Sequence, residues 1–174
     1  PVSVRFSKPY PNPHPMIPEA LMNRISDAKV VAGFSIEDAA HAVPLCRALL
    51  AGGISVIELT LRTEAGLAAV KEISTHVPEI LLGVGTILTP EQAQAVQEAG
   101  AHFGVAPGLN AAVVGAAEKV GLLFAPGIAT PSELETALSL GCCWVKLFPA
   151  ESLGGLSYLK AMAAPYAHLG VKYF

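Results

Sequence analysis

Charge is scarce in this chain. Asp, Glu, Lys and Arg make up 14% of its 174 residues, against roughly 25% in an average soluble chain. Hydrophobic residues make up 52%, and the mean hydropathy is +0.51. That balance implies one compact domain with a large core, or one whose strands are buried on both faces. A basic excess is lacking too: the net charge is -3 and the pI about 5.9, so nothing advertises a nucleic-acid surface. Long apolar runs are missing as well. The most apolar stretch, Leu109 to Ala129, is broken by Glu118 and Lys119, and no bilayer span is expected. The N-terminus has no signal-peptide layout.

Cysteine is limited to Cys46, Cys142 and Cys143. An odd number with two adjacent suits neither a disulfide framework nor a metal cluster. Free buried thiols in a reducing cytoplasm are the expectation. His14, His41, His76, His102 and His168 are scattered, with no pair at ligand spacing, so no metal is expected. A dinucleotide fingerprint is also lacking, because "GVGTIL" at 83–88 has the wrong glycine spacing.

What is present has a period. After a proline-rich start, with Pro at 1, 9, 11, 13, 15 and 18, residues 1–19 read as an extended tail outside the core. From residue 20 onward a helix-like stretch ends in Gly and a short apolar run follows, as at Gly52, Gly100, Gly121, Gly141 and Gly170. "TPEQ" at 89–92 and "TPSE" at 130–133 are capping boxes, each with Thr at the N-cap and Pro at N1; "SIED" at 35–38 is a weaker version. Strands are expected near 29–34, 54–61, 80–85, 102–106, 122–126, 143–148 and 171–174. A strand about every 20–26 residues, alternating with helices, means parallel pairing through right-handed crossovers. Polar residues gathered at several strand ends favour a (β/α)8 TIM barrel over an open doubly wound sheet.

Two strands carry chemistry. In "VIELTLRT" at 56–63, Glu58, Thr60 and Arg62 alternate with Ile57, Leu59 and Leu61, so the polar set shares one face, expected to point into the barrel. A buried Glu–Arg pair with a purely structural role is the competing reading. In "CWVKLFPAE" at 143–151, Lys146 sits among Trp144, Val145, Leu147 and Phe148. An isolated buried charge is strongly disfavoured. A desolvated lysine beside Arg62 would lose its proton readily and become the amine that Schiff-base chemistry needs. A lysine snorkelling past the barrel rim is the bland alternative. Thr86 follows "LLGVG", where two glycines let the backbone approach a ligand. "APG" at 106–108 and 125–127 places rigid turns at the mouth. "SLGG" at 152–155 reads as a flexible loop ahead of a helix near Leu156.

Taken together and in this order, "VIELTLRTEAG", "GVGTILTPEQ", "APGLN", "PGIATPSE" and "VKLFPAE" resemble the 2-keto-3-deoxy-6-phosphogluconate aldolase family, including the 4-hydroxy-2-oxoglutarate aldolases. The resemblance covers roughly residues 29–174. It implies a metal-free class I aldolase without a cofactor, a cytoplasmic homotrimer of (β/α)8 barrels acting on a small keto acid. It implies Lys146 as the Schiff-base lysine and Glu58 as the general acid/base. Arg62 and Thr86 would hold the pyruvate carboxylate, and Pro107 and Phe148 would wall the pocket.

Two departures stand beside the resemblance. "KVVAGFSI" at 29–36 lacks the arginine that many relatives carry in the first strand. The chain stops at "GVKYF", where the family leads into a Pro-Thr-Gly-Gly phosphate-binding loop and an eighth strand. The expectation is therefore a single barrel domain over 20–174, C-terminally incomplete and ending in about the seventh strand, with its phosphate site beyond Phe174. Two other functions compete: an impaired aldolase-like barrel with an assembly or binding role, and a lysine carrying pyridoxal phosphate.

Overall fold

The computed structural model describes Tyr10 and residues 18–174. The proline-rich tail expected over 1–19 therefore lies almost entirely outside the described residues. The chain runs α1 (Glu19–Ala28), β1 (Ala32–Phe34), α2 (Ala42–Ala51), β2 (Val56–Thr60), α3 (Gly66–His76), β3 (Leu81–Gly85), α4 (Pro90–Glu98) and β4 (Phe103–Val105). It continues through α5 (Ala111–Lys119), β5 (Leu123–Ala125), β6 (Gly127–Ile128), α6 (Pro131–Ser139), β7 (Trp144–Leu147), α7 (Ala150–Leu153), α8 (Gly155–Ala163) and β8 (Lys172–Tyr173). Every strand but β6 falls inside one of the seven expected runs, and β6 lies just past the fifth. No helix among the described residues is long and apolar enough to cross a membrane.

Helix starts follow their local chemistry. Thr89 Oγ1 accepts from the Gln92 N–H while Gln92 Oε1 accepts from the Thr89 N–H, and Thr130 with Glu133 repeats the exchange. Each box satisfies donors that the first helical turn leaves orphaned. Asn110 caps α5 through its side chain. The third expected cap is corrected. Asp38, not Ser35, caps the short 3-10 turn at Ala39–His41, by accepting from the Ala40 N–H. Ser35 turns its hydroxyl to Thr60 instead. A smaller correction concerns the turn after α2, where the left-handed residue is Gly53 (φ 85) rather than Gly52.

All pairings are parallel. β1 to β5 lie in sequence order in one sheet, and β6, β7 and β8 form a second. Only Pro126 separates β5 from β6, and its carbonyl accepts from the Lys146 N–H at 2.9 Å. One bent strand thus pairs with β4 in its first half and with β7 in its second, and the two sheets form one wall. No pairing joins β8 to β1 among the described residues.

The wall curls. Four strand spacings separate β2 from β7, about 19 Å if the sheet were flat. Side chains of these two strands nevertheless meet: Lys146 Nζ lies 3.0 Å from Glu58 Oε1. Phe103 of β4 packs edge-on against Trp144 of β7 with centroids 5.5 Å apart, and Trp144 meets Phe174 at 5.6 Å. Ile25, Val56, Leu81, Phe103, Val105, Ala125 and Trp144 form this inner cluster. The alternate residues Ile57, Leu59, Leu82, Val84 and Phe124 pack outward against the helices. Burial on both faces explains the apolar composition.

Inside the wall, Gly83 makes room for Phe103. A Cβ at Gly83 would lie 2.1 Å from the Phe103 ring. Gly83→Ala is expected to destabilise the fold by about 1–3 kcal/mol or more through overpacking. Gly115 sits inside α5, and a methyl group there would meet nothing within 4 Å, so Gly115→Ala is expected to stabilise by about 0.5–1 kcal/mol. Urea unfolding of the two variants against the parent checks both signs.

Candidate active site

Glu58 and Lys146 meet inside the wall because each lies on the inward face of its strand. On β2, Val56 packs into the inner cluster, so Glu58 and Thr60, two and four residues on, face the same way. On β7, Trp144 belongs to that cluster, which aims Lys146 inward one layer above it. Lys146 Nζ donates to Glu58 Oε1 at 3.0 Å and to Oε2 at 3.1 Å. The side chains are only 17% and 12% exposed. Nζ also stands 5.6 Å from the ring centroids of Phe148 and Phe174, within cation–π range.

The room for this contact comes from β3. Gly85 is the register partner of Thr60 and Gly83 that of Glu58. A Cβ on Gly85 would fall 2.0 Å from Glu58 Oε1. The two glycines of "GVG" therefore accommodate a carboxylate and an aromatic ring, rather than a ligand as the sequence suggested.

The lysine's environment also differs from expectation. Its polar partner is Glu58. Arg62 is exposed, and its Nε donates a long bond of 3.4 Å to Thr86 Oγ1. The cause is position along the strand: Glu58 lies at the level of Lys146, whereas Arg62 follows the end of β2. The bond to Thr86 uses Nε alone, so the Nη fork is not engaged by that hydroxyl. Thr86 itself holds a left-handed backbone, φ 61, which is strained for a β-branched residue; such strain gathers at functional positions. Pro107 and Phe148 are exposed at the same C-terminal end of the strands. Gly127 brings that rim together: its amide donates to Gly108 O at 3.2 Å, and a Cβ there would collide with the Pro107 carbonyl at 2.2 Å.

Several participants were not visible as site residues. Phe103, Trp144 and Phe174 form an aromatic floor beneath the Lys–Glu pair. The two-residue step from Trp144 to Lys146 was the available signal for Trp144; Phe174 carried none without its pairing. Ser35 Oγ lies 2.6 Å from Thr60 Oγ1 at the mouth.

No cluster of His, Cys, Asp and Glu among the described residues could hold a metal ion. A cavity of about 350 Å³ opens at the opposite end, where His102, Leu123, Cys142, Cys143 and Trp144 begin or precede their strands. His102 accepts the Leu82 N–H on Nδ1 at 3.1 Å, so its neutral ring carries the proton on Nε2. Burial, then Arg24, holds its pKa below the usual value. The thiols are held protonated by burial: Cys46 is pushed up to about 11 and Cys142 to about 12. They are poor nucleophiles.

A parallel β/α barrel wall with an amine and a carboxylate in contact above an apolar floor falls among the barrel enzymes able to work through a lysine. The match to known proteins is narrower. The family model for KDPG and KHG aldolase covers residues 21–172, and the chain belongs to that family, a family of lyases. It is 43% identical over 141 residues to the 2-dehydro-3-deoxy-phosphogluconate aldolase of Pseudoalteromonas atlantica, covering 81% of this chain and 66% of that protein. It is 41% identical over 145 residues to the KHG/KDPG aldolase of Escherichia coli K12, covering 83% and 68%. The chain thus spans about two thirds of the length of these relatives. The KDPG aldolase of Legionella pneumophila, solved with pyruvate captured as a covalent carbinolamine, superposes with a TM-score of 0.77 at 37% identity over 82% of this chain and 68% of that one.

The thiol environments carry an expectation of their own. At pH 8, well below the raised values for Cys46 and Cys142, iodoacetamide should label both more slowly than a free thiol by about two orders of magnitude or more. Guanidinium should restore ordinary rates. Mass-spectrometric timing of each cysteine peptide reads the difference.

Proposed function

We propose that this chain is a Schiff-base aldolase. It cleaves a 2-keto-3-deoxy sugar acid phosphate or 4-hydroxy-2-oxoglutarate into pyruvate and an aldehyde, glyceraldehyde 3-phosphate or glyoxylate. The observation that carries the reading is the double contact of Lys146 Nζ with the Glu58 carboxylate. A buried ion pair is weak evidence for stability, since apolar replacements often serve as well. Its presence at the mouth end of a barrel is better explained by chemistry. The names of the relatives span both substrate types.

The contact places one proton between two groups. When it moves to Glu58, the amine is free to attack the C2 ketone of the substrate, and one of the two protons left on nitrogen passes to the new oxygen, giving a carbinolamine. Protonated Glu58 then delivers its proton to the departing hydroxyl, which leaves as water, and an iminium forms. The Glu58 carboxylate next takes the C4 hydroxyl proton. The C3–C4 bond breaks, its electron pair flows into the iminium, and the aldehyde departs. Glu58 returns the proton to C3 of the enamine, and water hydrolyses the resulting imine to release pyruvate and the amine. Arg62 holds the substrate carboxylate through the Nη fork that Thr86 leaves unengaged, a charge-assisted contact, with Thr86 beside it. Pro107 and Phe148 wall the pocket, and the aromatic floor keeps water from the iminium's lower side. The reaction as written draws on no metal or cofactor. The chain further works as a homotrimer in the cytoplasm, the state that the family resemblance implies; light scattering of the purified protein tests the oligomer.

Borohydride reduction in the presence of pyruvate should add the mass of reduced pyruvate to the peptide carrying Lys146. An adduct on any other peptide would overturn the assignment. Glu58→Gln should lower kcat by about 10²–10⁴-fold, the usual scale for acid–base assistance. Gly85→Ala should lower it by about 10²-fold, because the new methyl displaces the carboxylate from Nζ and misplacements of about 1 Å carry that cost.

A further inference from the structure

A pair of hydroxyls stands above Glu58. Thr60 follows Glu58 by two residues on the inward face of β2, about 6–7 Å nearer the mouth. Ser35 follows the last residue of β1, whose register partner is Leu59, so it arrives beside Thr60. Ser35 Oγ and Thr60 Oγ1 are 2.6 Å apart, and Thr60 Oγ1 donates to Phe34 O at 3.3 Å. Either hydroxyl can donate in the short bond between them. Where Thr60 gives its one hydrogen to the Phe34 carbonyl, Ser35 donates to Thr60; where Thr60 donates to Ser35, Ser35 keeps its own hydrogen. In both arrangements a lone pair of Ser35 is left as an acceptor at the mouth.

This hydroxyl is not needed to hold the loop. The turn after β1 is tied to the end of β2 and the turn that follows it by two other bonds, Thr60 to Phe34 O and Thr63 Oγ1 to Ile36 O. Asp38 caps its far end. Ser35 is exposed, whereas Thr60 is only 8% exposed. A fixed acceptor on an exposed residue, held by a buried one, is built to meet a donor that arrives from solution.

We propose that Ser35 is a specificity-determining residue that accepts a hydrogen bond from the hydroxyl on the first carbon beyond the aldehyde carbon, with Thr60 as its positioning residue. The proposal rests on the aldolase reading above. Lys146 fixes the ketone carbon, and Arg62 with Thr86 takes the carboxylate on the β2–β3 side of the mouth. The rest of the carbon chain then lies toward β1. Hydroxyls on adjacent carbons stand about 3 Å apart, so two acceptors bound to them at about 2.8 Å each lie about 6–7 Å from one another, the span from Glu58 up to the hydroxyl pair. Ser35 therefore selects aldehydes hydroxylated next to the carbonyl.

The test is condensation of pyruvate with glyceraldehyde 3-phosphate and with its 2-deoxy analogue, 3-phosphooxypropanal, which lacks that one hydroxyl. The ratio of kcat/KM for the two aldehydes should fall about fivefold in Ser35→Ala, the effect of one neutral hydrogen bond. The change should sit in KM for the hydroxylated aldehyde, and Ser35→Thr should restore the ratio. A merely structural role lowers both activities together and leaves the ratio unmoved; that outcome overturns the assignment. Borohydride trapping of pyruvate on the parent protein separates the two readings. Trapping on Lys146 with an unmoved ratio sinks Ser35 alone. A parent that traps no pyruvate there sinks the aldolase reading and this proposal with it.

Discussion

The contact between Lys146 and Glu58 constrains everything around it. It joins residues 88 apart in sequence, across strands that a flat sheet would hold far beyond reach. A charged pair with this little exposure costs solvation, and only close geometry offsets that cost. The wall must therefore curl far enough, the register must set both side chains at one level, and the space between must be empty of other side chains. Each condition is met by a particular residue. Pro126 lies at the bend where one strand changes partners. Trp144 and Val56 fix the inward face of each strand. Gly85 supplies the missing volume beside the carboxylate.

The aromatic floor has a second consequence. Phe103, Trp144 and Phe174 meet edge to face, with centroid distances from 5.5 to 6.1 Å, the spacing that the ring quadrupole prefers. They pack together inside the curled wall, with Phe174 also 5.6 Å from Lys146 Nζ. The cavity at the strand N-termini shares Trp144 with this cluster, and its mostly apolar lining also carries His102, Glu118 and the thiols of Cys142 and Cys143, whose pKa values burial raises. Trp144, two residues before Lys146, thus belongs both to the cavity lining and to the inner cluster.

Much of this was legible in the sequence. Strand positions followed from glycine-punctuated apolar runs, because a strand buried on both faces is a short continuous run that turn residues must bound. The capping boxes at Thr89 and Thr130 were readable because both halves of the bond exchange lie within four residues. Alternation put Glu58 and Thr60 on one face for the same local reason. What failed was non-local. "SIED" has the pattern of a cap, yet the Ser35 hydroxyl goes to Thr60, 25 residues away. The glycines of "GVG" suggested an approaching ligand, and only the register to β2 and β4 shows that Phe103 and Glu58 fill the space. Arg62 seemed a neighbour of Lys146, but position along the strand gives that place to Glu58.

That last correction changes how the amine would become reactive in the proposed cleavage. A lysine kept neutral by apolar walls and a nearby cation needs no partner. It also has nothing close by to take and return protons. A lysine bonded to both oxygens of a carboxylate would have, in the proposed reaction, its proton acceptor already in contact. The proposed cleavage requires protons to travel to nitrogen, oxygen and carbon in turn, and a single group within 3.1 Å of Nζ can serve each transfer without large motion. The apolar neighbours then have a different purpose: they strengthen the field between the two groups by excluding water. Phe148 and Phe174, each 5.6 Å from Nζ, leave Glu58 as the polar group bonded to the amine among the described residues, and in the proposed reaction the first proton that the lysine gives up passes to it.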